Sequence, residues 1–198
     1  RKEEFEREIA LLKEELSSSL SLVYFSTCSL EDPILSKLPY FKHKRYAEKL
    51  VLEDKKNLVI RLPQIVGFSK NKKTLVNFLA WKIFLEQKFL LQKGALRNLI
   101  DIEDVRDLLE LAIPHAEKLN LISFALPHST EVSIIVDFLE EAIGNSGFYE
   151  EKEVISSYQY KESEFLKDMV GSKHKLNSKS YCRNAILKYY GAFPENFI

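Results

Sequence analysis

The sequence predicts an α/β protein, a parallel sheet covered on its faces by helices, with a small mixed part attached. Three observations predict it. Up to about residue 70 the chain alternates helix, strand, helix and strand, the pattern of a helix-covered parallel sheet. The strand runs are rich in β-branched and aromatic residues and too short for buried helices. A chain of 198 residues, 45% hydrophobic and 29% charged, can bury one substantial core. We expect one unit, with residues 1–72 forming a core half and residues 73–198 a mixed part interleaved with the last core strand and helices.

The elements follow in order. Phe5, Ile9, Leu12 and Leu16 recur at helical spacing among Glu and Lys, which predicts a surface helix over Glu4–Leu16 with one buried stripe, ended by the serine run Ser17–Ser19. "LSLVYFS" (20–26) predicts a strand, followed by a polar loop through Asp32 and Pro33. A second helix runs from about Tyr40 to Asp54, and "NLVIRLPQIVG" (57–67) supplies a second strand stopped by Pro63 and Gly67. Beyond these we expect helices at Thr74–Gln87, Glu103–Ile113, Thr130–Ile143 and Ser180–Tyr190. Extended pieces are expected at Lys88–Leu91, Asn98–Ile102 and Leu121–Ala125, and "GSKHKLNSKS" (171–180) reads as a polar, lysine-rich loop and the best candidate for disorder.

Lys plus Arg equals Asp plus Glu at 29 each, so the bulk charge gives no reason to expect nucleic-acid binding or attraction to an anionic membrane. Cys28 and Cys182 stand far apart without a CxxC or Cys/His grouping, which suggests neither a disulfide framework nor a zinc site and fits a reducing cytoplasm. His43, His115, His128 and His174 are scattered. The apolar stretches are short and interrupted by charge, and Arg1–Glu8 is unlike a signal peptide, so no membrane segment is expected.

Tyr40 and Lys44 lie four residues apart, so a phenol and an ammonium can project from one helix face. A nearby cation favours phenolate, which would make the pair an acid/base device; the plainer reading is an aromatic ring packed under a snorkelling lysine. Ser26 and Thr27 close the preceding strand, and the carboxyl ends of strands in α/β sheets are where ligands bind, although these hydroxyls could also cap the turn. Arg97 reads alone as an ion-pair partner of Asp101 or Glu103, and Asp101 and Asp104 as groups that cap or charge a helix start.

Strand, Ser-Thr, Tyr-x-x-x-Lys, "AEKLV", "RLPQIVG" and "RNLIDIEDV", in this order over about residues 5–145, resemble the extended short-chain dehydrogenase/reductase superfamily. The closer likeness is to its NAD-dependent epimerase/dehydratase branch, which acts on nucleotide sugars. The resemblance implies a Rossmann-like sheet, here partial because the N-terminal strands are absent. It implies Tyr40 as the acid/base, Lys44 as the residue that lowers the tyrosine pKa and bonds the nicotinamide ribose, and Thr27 as the hydroxyl on the reacting oxygen, with Ser26 the neighbouring possibility. Tyr40, Lys44, Ser26 and Pro63 would contact NAD or NADP; Thr27, Cys28, Gln64 and Arg97 would contact a nucleotide-sugar substrate, Arg97 at its diphosphate. It also implies a homodimer through helices 4–16 and 40–54.

The chain departs from that pattern. No glycine-rich phosphate turn is present, the first of six glycines being Gly67, so the half that holds most of the dinucleotide is expected in a longer protein. A truncated gene product or a second chain would also account for its absence. After the Ser-Thr pair the chain continues "LEDP" where the family often has Tyr-Gly, and no Asn occurs before Asn57. The resulting expectation is an NAD(P)-dependent epimerase, dehydratase or reductase on a nucleotide sugar, serving surface polysaccharide synthesis. Alternatives are a non-catalytic binding or scaffold relative, or a regulator that binds NAD(P) without turnover.

Overall fold

The computed structural model describes residues 2–18, 20–154, 158–161, 163–170 and 175–193. In chain order the first elements are α1 (Lys2–Leu16), β1 (Val23–Thr27), α2 (Pro39–Val51), β2 (Leu58–Leu62), β3 (Gln64–Val66), α3 (Leu75–Phe84), β4 (Phe89–Lys93) and β5 (Leu96–Arg97). There follow β6 (Leu99–Asp101), α4 (Ile102–Ala112), β7 (Leu121–Ser123), β8 (Thr130–Glu131), α5 (Val132–Ile143), β9 (Tyr149–Glu153), α6 (Glu164–Val170) and α7 (Tyr181–Tyr190). They cluster into two compact units, one of Arg1–Pro63, Val105–Ala125 and Glu162–Met169, the other of Gln64–Asp104, Leu126–Lys161 and Val170–Ile198.

The first unit is built on a parallel three-stranded sheet in the order β1-β2-β7. Val23 pairs with Leu58 and Thr27 with Leu62, while Val59 and Arg61 pair with Leu121 and Ser123. Central β2 carries the consecutive buried residues Leu58, Val59 and Ile60, as a strand with two covered faces requires. Helix α2 makes the crossover between β1 and β2; it opens on Pro39, whose missing N–H costs nothing at a helix start. Tyr24, Ala47, Val51, Val59 and Leu12 form the core between α1, α2 and the sheet.

Two buried polar clamps hold this crossover. Asn57 accepts from Leu22 N at 2.9 Å and donates to Val51 O at 3.1 Å, which ties the start of β1 to the end of α2. Glu48 on α2 meets Arg61 on β2 through two parallel bonds, Nε to Oε1 at 2.9 Å and Nη2 to Oε2 at 2.7 Å. Such forked geometry offsets the cost of taking both charges out of water.

At Pro63 the expected strand 57–67 divides. Proline cannot donate to a ladder, and the residues after it pair elsewhere: Gln64–Val66 runs parallel to Leu99–Asp101 in the second unit. There Val76, Leu79 and Ile83 of α3, Ile135 and Leu139 of α5 and Ile186 of α7 share one core. Asn98 is buried and clamps it, accepting from Leu126 N at 2.9 Å and donating to Leu126 O at 2.8 Å.

Most expected elements are present with shifted ends. The first strand starts at Val23 rather than Leu20, and the expected helix Thr130–Ile143 begins at Val132 because Thr130–Glu131 pairs antiparallel with Leu96–Arg97. Gly144 ends that helix at φ 79, the left-handed conformation that glycine adopts without penalty. Strand β9, unforeseen, runs parallel to β4; "YEEKE" keeps its side chains largely in solvent, so no apolar alternation marks it. Residues 171–174 of the polar loop, His174 included, lie outside the described residues, and Lys175–Asn177 forms a 3-10 turn. No helix among the described residues is long and apolar enough to cross a membrane.

Replacing Glu48 by Gln should strip the Arg61 guanidinium of its principal partner. Denaturant unfolding is expected to show a loss of about 3 kcal/mol, at the low end for a broken buried pair because Glu31 remains 3.6 Å from Arg61. An unchanged midpoint would contradict the clamp.

Candidate active site

In a parallel crossover the helix runs back against the strand it follows, so the amino end of α2 lies at the carboxyl edge of β1. That edge carries Ser26 and Thr27 from the strand and Tyr40 from the first turn of the helix. Tyr40 is 37% exposed, with its ring edge-on to Phe41 at 5.0 Å and tilted against Phe5 at 6.4 Å. Thr27 adopts φ −133 and ψ 138, and its Oγ1 accepts from Ser29 N at 3.2 Å. The turn-capping role is therefore present, and the hydroxyl hydrogen is left to donate elsewhere. Ser26 is buried, and its Oγ has no hydrogen-bond partner among the described residues.

Lys44 lies one turn into α2, and its ammonium turns to the core side of the strand. Nζ donates to Tyr24 Oη at 2.8 Å and to Glu8 Oε1 at 2.9 Å. Tyr24 Oη donates to the same Glu8 oxygen at 2.8 Å, and His43 Nε2 lies 2.9 Å from Glu8 Oε2. The His43 ring stacks on Phe5 at 4.2 Å with an interplanar angle of 11°. Burial alone would push the Glu8 carboxyl up, but hydrogen bonds from Lys44, His43 and Tyr24 outweigh it and hold the group down at about 2. Burial, followed by the bond to Glu8, pushes the Tyr24 phenol well above its ordinary value.

Cys28 is 1% exposed, with Sγ 3.3 Å from Arg61 O and 3.4 Å from Ser123 Oγ. Burial pushes its thiol up to about 12, so it stays protonated and is no nucleophile. Pro63 ends the first unit half-buried, and Gln64, exposed, opens the second. Arg97 is also in the second unit, where it donates to Leu96 O at 2.8 Å and Gln92 Oε1 at 3.0 Å. Its expected ion-pair partners are engaged otherwise, Asp101 and Glu103 both bonding Lys188, at 2.8 and 2.7 Å. Asp101 also accepts from Glu103 N at 2.9 Å, which caps the start of α4 as expected, and from Tyr189 Oη at 2.5 Å.

The sequence pairs Lys44 with Tyr40, whereas the partners its ammonium meets are Glu8 and Tyr24, and the sequence singles out neither. Glu8 reads as one of several glutamates on an amphipathic helix, and only the neighbouring Phe5, Ile9 and Leu12 hint that it borders the buried face. Among the described residues no group of three or more His, Cys, Asp or Glu could hold a metal ion.

Solved structures share this fold. The dTDP-glucose 4,6-dehydratase of Bacillus anthracis, in complex with NAD, superposes with a TM-score of 0.72 at 13% identity, over 96% of this chain and 67% of its own. A UDP-glucose 4-epimerase from Stenotrophomonas maltophila, with bound NAD and formylated UDP-arabinopyranose, gives 0.71 at 14% identity over 95% and 68%. The UDP-glucose 4-epimerase of Thermus thermophilus, with NAD, gives 0.68 at 12% over 87% and 64%. The likeness establishes a partial Rossmann-like α/β fold, and the chain spans about two thirds of the length of these structures. No family model and no curated protein matches the sequence.

The Glu8 network implies an acid limb in stability. Because the folded-state pKa lies below the ordinary carboxylate value, the stabilisation is complete above about pH 4.5 and is lost as pH falls towards about 2. Solvent screening of a partly exposed group limits it to on the order of 1–2 kcal/mol. Unfolding measured across that range should show a shallower limb for Glu8→Gln; identical limbs would rule out the network as its source.

Proposed function

We propose that this chain is the substrate-facing part of an NAD(P)-dependent enzyme that epimerises, dehydrates or reduces a nucleotide sugar. One observation carries the reading: Tyr40 and Lys44 open the crossover helix at the carboxyl edge of a strand ending in Ser26-Thr27. The solved structures of like fold, named for work on nucleotide sugars and holding NAD, support it.

The residues at this edge fit the ribose end of a nicotinamide dinucleotide. Lys44 spends two of its three N–H groups within the protein and has one to offer a hydroxyl, while the buried Ser26 Oγ is an unused polar atom at the same strand end. The dinucleotide, when bound, supplies the hydride chemistry. Tyr40 Oη gives or takes the proton at the reacting sugar oxygen, and Thr27 Oγ1 donates to the same oxygen and orients it. Pro63 and Ser26 flank the cofactor side. Cys28 backs the strand end; in the second unit, Gln64 and Arg97 are the residues that the family resemblance assigns to a nucleotide sugar, Arg97 as a forked donor to a diphosphate.

A homodimer through α1 and α2 goes with this reading. A groove of about 430 Å³ between these helices is lined by Phe5, Ile9, His43 and Tyr46. Two free, buried cysteines fit a cytoplasmic setting. Surface polysaccharide synthesis is the process we expect it to serve.

A second reading has an observation of its own: Lys44 and Thr27 already have partners inside the chain. A binding or regulatory relative would keep this arrangement and bind NAD(P) without turnover. In the full-length protein, Tyr40→Phe should lower turnover of nucleotide sugars at least about 100-fold while cofactor affinity, followed by reduced-cofactor fluorescence, stays nearly constant. Turnover that survives the substitution sinks the enzymatic assignment; cofactor binding with no turnover in the unaltered protein favours the regulator.

A further inference from the structure

Glu8, Tyr24 and Lys44 come from three successive elements and close a triangle of hydrogen bonds. Nζ to Oη is 2.8 Å, Nζ to Oε1 is 2.9 Å and Oη to Oε1 is 2.8 Å. Spacing along α2 does not require this, since a lysine four residues after a tyrosine is free to swing over a long, rotamer-rich stem. The triangle removes that freedom: two N–H groups are committed to the protein, and tetrahedral geometry at nitrogen then fixes the direction of the third. The carboxylate is itself held on its other side, where His43 meets Oε2 at 2.9 Å and stacks on Phe5. Lys44 and His43 are largely buried, with 15% and 7% of their side chains exposed.

We infer that Glu8 is the positioning residue for Lys44, and that it sets this lysine to receive a neutral hydroxyl oxygen rather than an anionic group. The first half follows from the geometry. The second follows from charge: an ammonium 2.9 Å from a carboxylate has little net field left for a phosphate, but its remaining N–H is a good donor to a sugar hydroxyl. Tyr24 shares the task as a neutral phenol, donating to Glu8 while accepting from Lys44, so it adds direction without charge. The assignment deepens the proposed function by naming the groups that hold Lys44 in place for the hydroxyl partner which that reading already gives it, and for its consequence in catalysis it rests on that reading.

Its test does not need turnover. The full-length protein is treated with limiting acetic anhydride, and acetylation of Lys44 is read by peptide mass spectrometry against exposed Lys42 and Lys49 on the same helix. Lys44 should label slowly in the unaltered protein. In Glu8→Gln it should label about tenfold faster relative to the two references, the size that loss of a charged hydrogen bond gives, and in Tyr24→Phe the gain should be smaller. Inorganic phosphate, added at constant ionic strength, should protect Lys44 in Glu8→Gln and leave its rate unchanged in the unaltered protein. A purely structural ion pair would raise the Lys44 rate without creating that phosphate response. Equal rates in all three proteins, a parallel rise at all three lysines, or phosphate protection that does not depend on Glu8 would overturn the inference. Failure of the enzyme assay with these labelling results intact would instead remove only the proposed reaction.

Discussion

The buried pair between Glu48 and Arg61 sets the rotation of α2, and the candidate site depends on that rotation. Tyr40, Lys44 and Glu48 follow one another at intervals of four residues and so lie along one helix face. With Glu48 drawn onto β2 by two bonds to Arg61, the same face places Lys44 over β1, where Tyr24 meets it. Tyr40 lies one turn nearer the helix start, where its ring meets Phe5 of α1. Asn57 fixes the other end of the crossover by holding α2 and β1 together through main-chain groups. A helix rotated by one residue would break the ion pair and bury an uncompensated charge, so the face presented to the sheet is strongly determined.

The lysine's environment cannot be read from its own segment. Spacing says that Tyr40 and Lys44 share a face, and the structure agrees, but the atoms that Lys44 touches belong to α1 and β1. Glu8 is legible only as a polar position on the edge of an apolar stripe, and Tyr24 only as one aromatic residue in a strand run. Each becomes informative once tertiary packing puts it next to the other. Thr27 shows the reverse case, because the local turn chemistry suggested by Ser-Thr at the end of a strand is present in the bond from Ser29 N.

Legibility of the fold follows burial in the same way. Strand β2 is readable because three consecutive apolar residues are covered on both faces, and α2 because its apolar stripe recurs at helical spacing. Strand β9 is not, since a pairing that leaves most of its side chains in water shows no apolar alternation, although the Tyr149 ring meets Phe89 and Glu151 pairs with Lys93 at 2.7 Å. The two-residue strands β5 and β8 are shorter than any periodicity, and β8 merges in sequence with the helix that follows it. Pro63 reads as a stop, and the structure makes it a change of partner, from the sheet of the first unit to the β3–β6 pair of the second. Arg97 is legible as a charge and not as a contact, because its obvious acidic neighbours are taken by Lys188, which is distant in sequence.

The Glu8 triangle also constrains what kind of help Lys44 can give at the edge of the sheet. A lone ammonium acts through net charge, and its influence reaches several ångströms in every direction. An ammonium paired with a carboxylate acts as a dipole, whose field falls off faster and depends on orientation. What stays useful is the remaining N–H, directed by the two bonds that restrain the others. Any chemistry at Tyr40 that relies on Lys44 must then pass through a group placed within hydrogen-bond reach of that N–H, and a hydroxyl bridging the two side chains is the simplest such group. For the acid/base pair that spacing suggests to act, a hydroxyl within reach of that N–H would have to join Tyr40 to Lys44.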